Sequence, residues 1–240
     1  MKSSQLSLLW GSIGVTCFVL AASSQAGYIG GRELMPLLYW PGVLNSLASI
    51  SYAGAPGLMT RWLVKKGPDG KLSPIDCAVF FPWLLQVWLF WFVRTFVILR
   101  EEQHQLVAPG LYVSRYPTSG LPEDVSAVVD FTVEFPRSMH TLPVQDYFCV
   151  QTLDCMPPSV EAMVPIVLRL KEKEHVVFAH CANGHGRSAI FVAILMVLRG
   201  HAASIGEARQ QMCKIRPSIS WPASFDVAAH EVLRLAKLTQ

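Results

Sequence analysis

The run His180-Cys181-Ala182-Asn183-Gly184-His185-Gly186-Arg187-Ser188 combines a thiol, a guanidinium, a hydroxyl and two glycines within one short stretch. A brief apolar run, Val176 to Ala179, precedes it, and an apolar segment of helical length, Ala189 to Leu198, follows. That order predicts a strand, a tight loop and a helix N-terminus. A helix start offers unpaired N–H groups and the positive end of its dipole, which suits a phosphate dianion. Gly184 and Gly186 avoid the Cβ penalty for positive φ, so the amides of Ala182, Asn183, Gly184, His185, Gly186 and Arg187 can turn inward as an anion nest. Arg187 can grip two phosphate oxygens with its planar fork. The same positive field favours the thiolate of Cys181, the nucleophilic form of cysteine. The chemistry expected is attack of sulfur on phosphorus; the plainer alternative is a buried, inert cysteine beside a helix cap.

Cysteine, five residues and arginine, with His180 before and Ser188 after, resembles the signature of the protein-tyrosine and dual-specificity phosphatase superfamily. The spacing, both glycines and the flanking strand and helix agree with it. One departure is that Ala182 and His185 occupy positions where phosphoinositide-directed relatives often carry lysine, which weakens any inference to a highly charged inositol headgroup. Gly110-Leu111-Tyr112 and Val128-Val129-Asp130-Phe131-Thr132 look like the opening strands of dual-specificity phosphatases. Arg216-Pro217, ahead of the last predicted helix, resembles that family's Arg-Pro connector. The resemblance covers about residues 106–238 and implies an α/β fold, a dual-specificity-phosphatase-like sheet flanked by helices.

The resemblance also names a general acid. A leaving alkoxide departs more readily when protonated. Leu153-Asp154-Cys155-Met156-Pro157-Pro158-Ser159 is similar to the family's acid loop, where an Asp precedes a Pro-containing turn, so the match falls on Asp154. Its plainer role is to cap the following helix. Asp146 competes but is expected to precede a strand, on the wrong side; Glu134 and Glu161 are weaker candidates. The implied catalytic set is Cys181, Arg187, Asp154 and Ser188. Ser188 either hydrogen-bonds the departing thiolate, caps the helix, or does both. His180 is expected to orient the loop backbone, and His185 either tunes the phosphate rim or is solvated. No cofactor and no metal is called for, since the histidines and cysteines lack metal-ligand spacing. Cys155 is read either as an inert thiol or as a resolving thiol for Cys181.

The elements that must position these groups follow from the apolar patterning. Strands are expected near Gly110–Val113, Val125–Thr132, Tyr147–Thr152 and His175–Ala179. Helices are expected over Ser159–Glu174, Ala189–Leu198 (apolar on all sides, hence central), Ala203–Ile215 and Ala223–Leu238. Asp130 reads as a strand-end residue binding local amides, and Glu101–Gln105 as a charged hinge.

The first hundred residues differ in kind. Of 240 residues 52% are hydrophobic and 15% charged, with mean hydropathy +0.36, which is apolar for a soluble enzyme. Residues 1–100 carry eight Lys/Arg and three Asp/Glu, and residues 101–240 carry twelve and fourteen, giving +5 and −2. No basic-aromatic footprint for nucleic acid is present. Apolar runs at 6–22, 34–58 and 75–99 are candidate spans, so two to three transmembrane helices are expected before a catalytic domain over 106–240. The first run also fits a signal peptide, with Ser24-Gln25-Ala26 as a small-residue cleavage site. Asn45 and the small residues of the second suit helix packing better than lipid contact.

The expected function is a membrane-anchored phosphatase acting on a phosphorylated lipid or protein. The alternatives are a catalytically silent phosphate-binding adaptor and a membrane scaffold. The sidedness arguments conflict. Arg61, Lys65, Lys66 and Lys71 would place the 61–74 connection in the cytoplasm, and one crossing by 75–99 then puts the catalytic domain outside. A reactive thiolate favours a reducing compartment, and Pro82 can let the last run return as a re-entrant hairpin. A cytoplasm-facing catalytic domain is the expectation.

Overall fold

The computed structural model of this protein describes residues 3–30, 32–55, 58, 60 and 64–238. The chain divides into two compact units, Met1–Lys65 with Ser73–Phe90, and Lys66–Leu72 with Trp91–Gln240.

The first unit is helical. Each expected apolar run forms a helix: α1 (Ser3–Gln25), α2 (Met35–Ala53) and α3 (Pro74–Phe92). The expected 34–58 run ends in helix at Ala53, and its residues 56 and 57 lie outside the described residues, as does Arg61. Small residues let α1 and α2 approach closely: a Cβ on Gly14 would lie 2.8 Å from Ser46 Oγ and 3.2 Å from the Gly42 carbonyl. Ser7 donates to Ser49 O (3.0 Å) and Ser49 donates to Ser7 O (2.8 Å). Buried Asn45 turns its Nδ2 back to Pro41 O at 2.8 Å. Leu8, Val15, Val19, Leu37, Ile75 and Leu89 are each more than half exposed, a large apolar surface for water to cover. Among the described residues, two stretches, Ser3–Gln25 and Pro74–Leu99, are long and apolar enough to cross a bilayer.

The second unit is α/β, as expected. Its strands are β1 (His104–Ala108), β2 (Leu111–Ser114), β3 (Ala127–Asp130), β4 (Asp146–Cys149) and β5 (Val177–His180), in the order β1-β2-β5-β3-β4. β5 lies parallel between β2 and β3, β4 is parallel to β3, and β1 closes the edge antiparallel. Every residue of β3 and β5 is buried, the pattern of parallel strands covered on both faces. The covering helices are α4 (Val160–Leu170), α5 (Arg187–Leu198), α6 (Ile205–Ile215) and α7 (Ala223–Leu238). Arg187 to Met196 is buried throughout, so α5 is central because it has no polar face to show to water. Ser159 and Ser204 cap α4 and α6 by accepting from Ala162 N and Glu207 N.

Two expectations need correction. Residues 101–105 are not a hinge: β1 begins at His104, and Glu101 is tied to Arg216 at 3.0 Å and to His185 at 2.6 Å. The second unit comprises Lys66–Leu72 with Trp91–Gln240, and the Lys66 side chain is buried within it. Asp146 opens β4 instead of preceding the strand, and pairs with Arg169 at 2.7 Å.

Candidate active site

β5 ends at His180, and the next residue is Cys181. The site therefore sits where an open parallel sheet offers the C-terminal ends of its strands and the N-terminus of a helix. Cys181 is buried; its amide donates to Ser114 O at 3.3 Å. Its Sγ accepts from Gly184 N at 3.2 Å and from Ser188 Oγ at 3.4 Å. Among the described residues, the amides of Ala182, Asn183, His185, Gly186 and Arg187 donate to no protein acceptor. The loop carbonyls are instead occupied from outside. Ala182 O accepts from Trp91 Nε1 (2.7 Å) and Tyr116 N (3.1 Å), Asn183 O from Arg216 Nη2 (3.0 Å), and His185 O from Ser220 N (3.0 Å). With its carbonyls taken, the loop keeps donors for an anion.

The two glycines differ. Gly184 has φ +72°, and a Cβ there would stand 2.6 Å from the Ser114 carbonyl carbon, so both conformation and space require glycine. Gly186 has φ −126° and is the N-cap of α5; a Cβ there meets nothing nearer than Ser220 O at 3.5 Å. The positive φ expected of both glycines belongs to Gly184 alone. Because Gly186 takes the cap, Ser188 is the second residue of the helix and not its cap, and its hydroxyl is directed to Cys181.

Arg187 is buried and held by several acceptors. Nη1 donates to Thr152 O (2.7 Å), Phe131 O (3.1 Å) and Glu134 Oε2 (3.2 Å), and Nη2 to Glu134 Oε1 (2.8 Å). Nη2 also lies 3.2 Å from Asp154 Oδ1. Nε is buried and has no partner. Burial works against the guanidinium charge, but Glu134 and Asp154 outweigh it and raise its pKa well above the ordinary value. Asp154 is brought to Arg187 from the loop between β4 and α4, and its side chain is 45% exposed. The next residue, Cys155, has φ +58°, a strained conformation for a residue with a Cβ. Burial, with Asp154 adding to it, pushes the Cys155 thiol up to about 12, so it is protonated at neutral pH and poorly suited to resolve an oxidised Cys181.

Glu134 is the neighbour of Arg187 that sequence reasoning underrated. Its signal was its setting, a lone carboxylate between Val133 and Phe135 in an apolar stretch, which needs a buried cation. Two histidines also gain definite settings. His180 is fully buried; burial holds it down to about 4 against the opposing pull of Asp130, whose Oδ1 lies 3.9 Å from Nδ1. It is therefore neutral near pH 7, and its carbonyl accepts from Phe131 N at 2.9 Å. His185 is not solvated: burial lowers its pKa, and Nε2 meets Glu101 Oε2 at 2.6 Å.

Asp130 binds a local amide, Thr132 N at 2.8 Å, but also two more distant groups, Lys66 Nζ at 2.7 Å and Tyr147 OH at 2.6 Å. Burial pushes this carboxyl up, yet the charge of Lys66 and the hydrogen bonds prevail and hold it at about 2. Among the described residues, no group of three or more His, Cys, Asp or Glu side chains gathers as metal ligands.

No family model matches the chain, and no curated protein sequence matches it either. Several solved structures are similar to it. One is PTPMT1 in complex with PI(5)P, 19% identical over 57% of this chain and 99% of that one, with a TM-score of 0.49. Another is a human DUSP28 variant, 16% identical over 58% of this chain and 100% of that one, with a TM-score of 0.47. A third is the human tyrosine phosphatase-like serine/threonine/tyrosine-interacting protein, 15% identical over 58% and 99%, with a TM-score of 0.46.

Proposed function

We propose that this chain is a membrane-anchored phosphatase that hydrolyses a phosphomonoester through a cysteinyl-phosphate intermediate. One arrangement carries the reading: Cys181 opens a loop in which, among the described residues, the amides of Ala182, Asn183, His185, Gly186 and Arg187, together with buried Arg187 Nε, are donors without protein acceptors. Buried donors of this kind call for an anionic ligand. In the first step Cys181 Sγ attacks phosphorus while the loop amides and Arg187 bind the equatorial oxygens. The P–O ester bond breaks, and Asp154 gives its proton to the leaving oxygen. In the second step water attacks phosphorus, Asp154 takes a proton from it, and the S–P bond breaks. The thiolate is received by Ser188 Oγ–H and Gly184 N–H, the donors already placed on Sγ. In the free protein Asp154 occupies one edge of Arg187. Substrate phosphate takes that edge, and the exposed carboxyl is free to turn to the leaving oxygen.

The substrate class is a phospholipid or a membrane phosphoprotein, because anchoring raises the effective concentration of anything in the same bilayer. Ala182 and His185, in place of lysines, disfavour a multiply phosphorylated headgroup. Purified full-length protein assayed on a phospholipid panel and on phosphopeptides separates the two. Cys181→Ser should abolish turnover yet still bind inorganic phosphate; retained turnover refutes the assignment.

The catalytic unit faces the cytoplasm in this reading. Residues 66–72 and 91 onward belong to one compact unit, which supports placing the connection before α3 and the catalytic sheet on one side of a bilayer. In this reading the 73–90 segment returns to the side it left, and the charge rule and the reducing compartment then agree. Cys181 should resist a membrane-impermeant thiol reagent in intact cells and react after permeabilisation. Reaction without permeabilisation would reverse the orientation.

A further inference from the structure

Lys66 stands far upstream of the catalytic loop, yet its side chain is wholly buried in the catalytic unit. Its ammonium has three protons, and three acceptors take them: Asp130 Oδ2 at 2.7 Å, Thr132 O at 2.8 Å and Thr132 Oγ1 at 3.1 Å. The acceptors flank Phe131, whose carbonyl receives Arg187 Nη1 at 3.1 Å. The other Asp130 oxygen accepts from Thr132 N at 2.8 Å and Thr132 Oγ1 at 2.7 Å, which closes the turn on itself. The backbone then runs directly to Glu134, the second support of Arg187. The Lys66 segment is itself held, since Gln151 Nε2 donates to Lys66 O and Arg137 N donates to Gly70 O at 2.7 Å.

We propose that Lys66 is a positioning residue for Arg187: it clamps the 130–132 turn so that Phe131 O and Glu134 hold the guanidinium where phosphate is bound. The proposal rests on the phosphatase reading for its ligand. It extends that reading by making a residue of the connector before α3 part of the phosphate site. A buried ammonium with every proton used has no free donor for substrate, so Lys66 acts only through Arg187. Replacing Lys66 by an apolar residue leaves Asp130 a buried, unpaired carboxylate next to that turn.

The test uses the full chain in detergent, with inorganic phosphate as the probe. Phosphate is measured as a competitive inhibitor of aryl-phosphate turnover, and by calorimetry in a Cys181→Ser background. Lys66→Met should weaken phosphate binding by about tenfold and raise KM in step, while in an Arg187→Met background it should change phosphate binding by less than about twofold. Equal weakening in both backgrounds, or none in either, overturns the proposal. Because Lys66→Met strands a buried charge and can unfold the chain, Lys66→Met combined with Asp130→Asn keeps the question answerable with a neutral pair. That double variant should melt close to the parent protein yet bind phosphate about fivefold more weakly, since the Thr132 carbonyl has lost its clamp. Full recovery of phosphate affinity would make Lys66 a mere counterion of Asp130 and overturn the proposal. Turnover retained by Cys181→Ser would instead sink the phosphatase reading, whatever the Lys66 variants do.

Discussion

Two buried cations lie on either side of the 130–134 turn, and they are finished differently. Around Lys66 every proton of the ammonium has a protein acceptor, and both oxygens of its carboxylate partner are occupied. Around Arg187 one carboxylate, Glu134, is buried, a second, Asp154, is half exposed, and Nε has no partner. The first cluster is closed and the second open. A closed cluster can only hold the backbone; an open one has binding capacity left, and its exposed carboxylate is the partner a ligand can displace.

The contrast breaks most severely at the guanidinium. Arg187→Lys keeps the charge but cannot serve Phe131 O, Thr152 O and Glu134 while presenting a fork to phosphate. kcat/KM for an aryl phosphate should fall by about 10³-fold with the chain still folded. A variant within tenfold of the parent would mean that a point charge suffices and that the site is less open than described.

Asp154→Asn tests the exposed half of the open cluster. Turnover of an alkyl phosphate should drop by about 10²-fold, and that of an aryl phosphate with a good leaving group by less than about tenfold. Equal losses on both would make Asp154 a structural partner of Arg187, and the contrast with the closed cluster would weaken.

The smallest effect belongs to acid pH and sharpens the comparison from the closed side. His180 is held at about 4 by burial, below its unfolded value, so the unfolded chain binds the extra proton first. Its contribution is intact above the unfolded pKa of about 6.5 and shrinks as pH falls toward the folded value, by roughly 2 kcal/mol between pH 7 and pH 5. Asp130, held at about 2, keeps its contribution over this window and loses it at lower pH, from the ordinary carboxylate range downward. Thermal unfolding of the parent at the two pH values should show the loss, and His180→Gln should flatten it. An unchanged slope in that variant would place the sensitive group elsewhere.

Much of this was readable from residue order. The loop from Cys181 to Ser188, the buried helix after it and the limits of α7 follow from local pattern, because spacing and apolar runs express short-range constraints. β1 was not legible: His104 to Ala108 carries one buried residue at an edge, too few to set an alternation apart from a polar linker. Lys66 was hidden for a related reason. Beside a Gly-Pro-Asp-Gly turn it reads as a solvated charge, and its partner Asp130 lies 64 positions away. Long-range charge pairing leaves no periodic trace, so neither the clamp nor the role of Glu134 could be assigned from the sequence.

The distance between Lys66 and Asp130 also sets an order of events during synthesis. Lys66 leaves the ribosome before any strand of the sheet exists, and its partner follows 64 residues later. At ~5–20 residues per second that wait is roughly 3–13 s. Through it the ammonium stays hydrated while α3, made in between, is already available for insertion or packing. The turn that supports Arg187 is therefore completed by an early residue waiting for a late one. The turn is then completed only after the apolar N-terminal helices have been laid down, so nascent chains too short to include β3 and β4 should leave Lys66 open to amine-reactive labelling, and full-length chains should protect it.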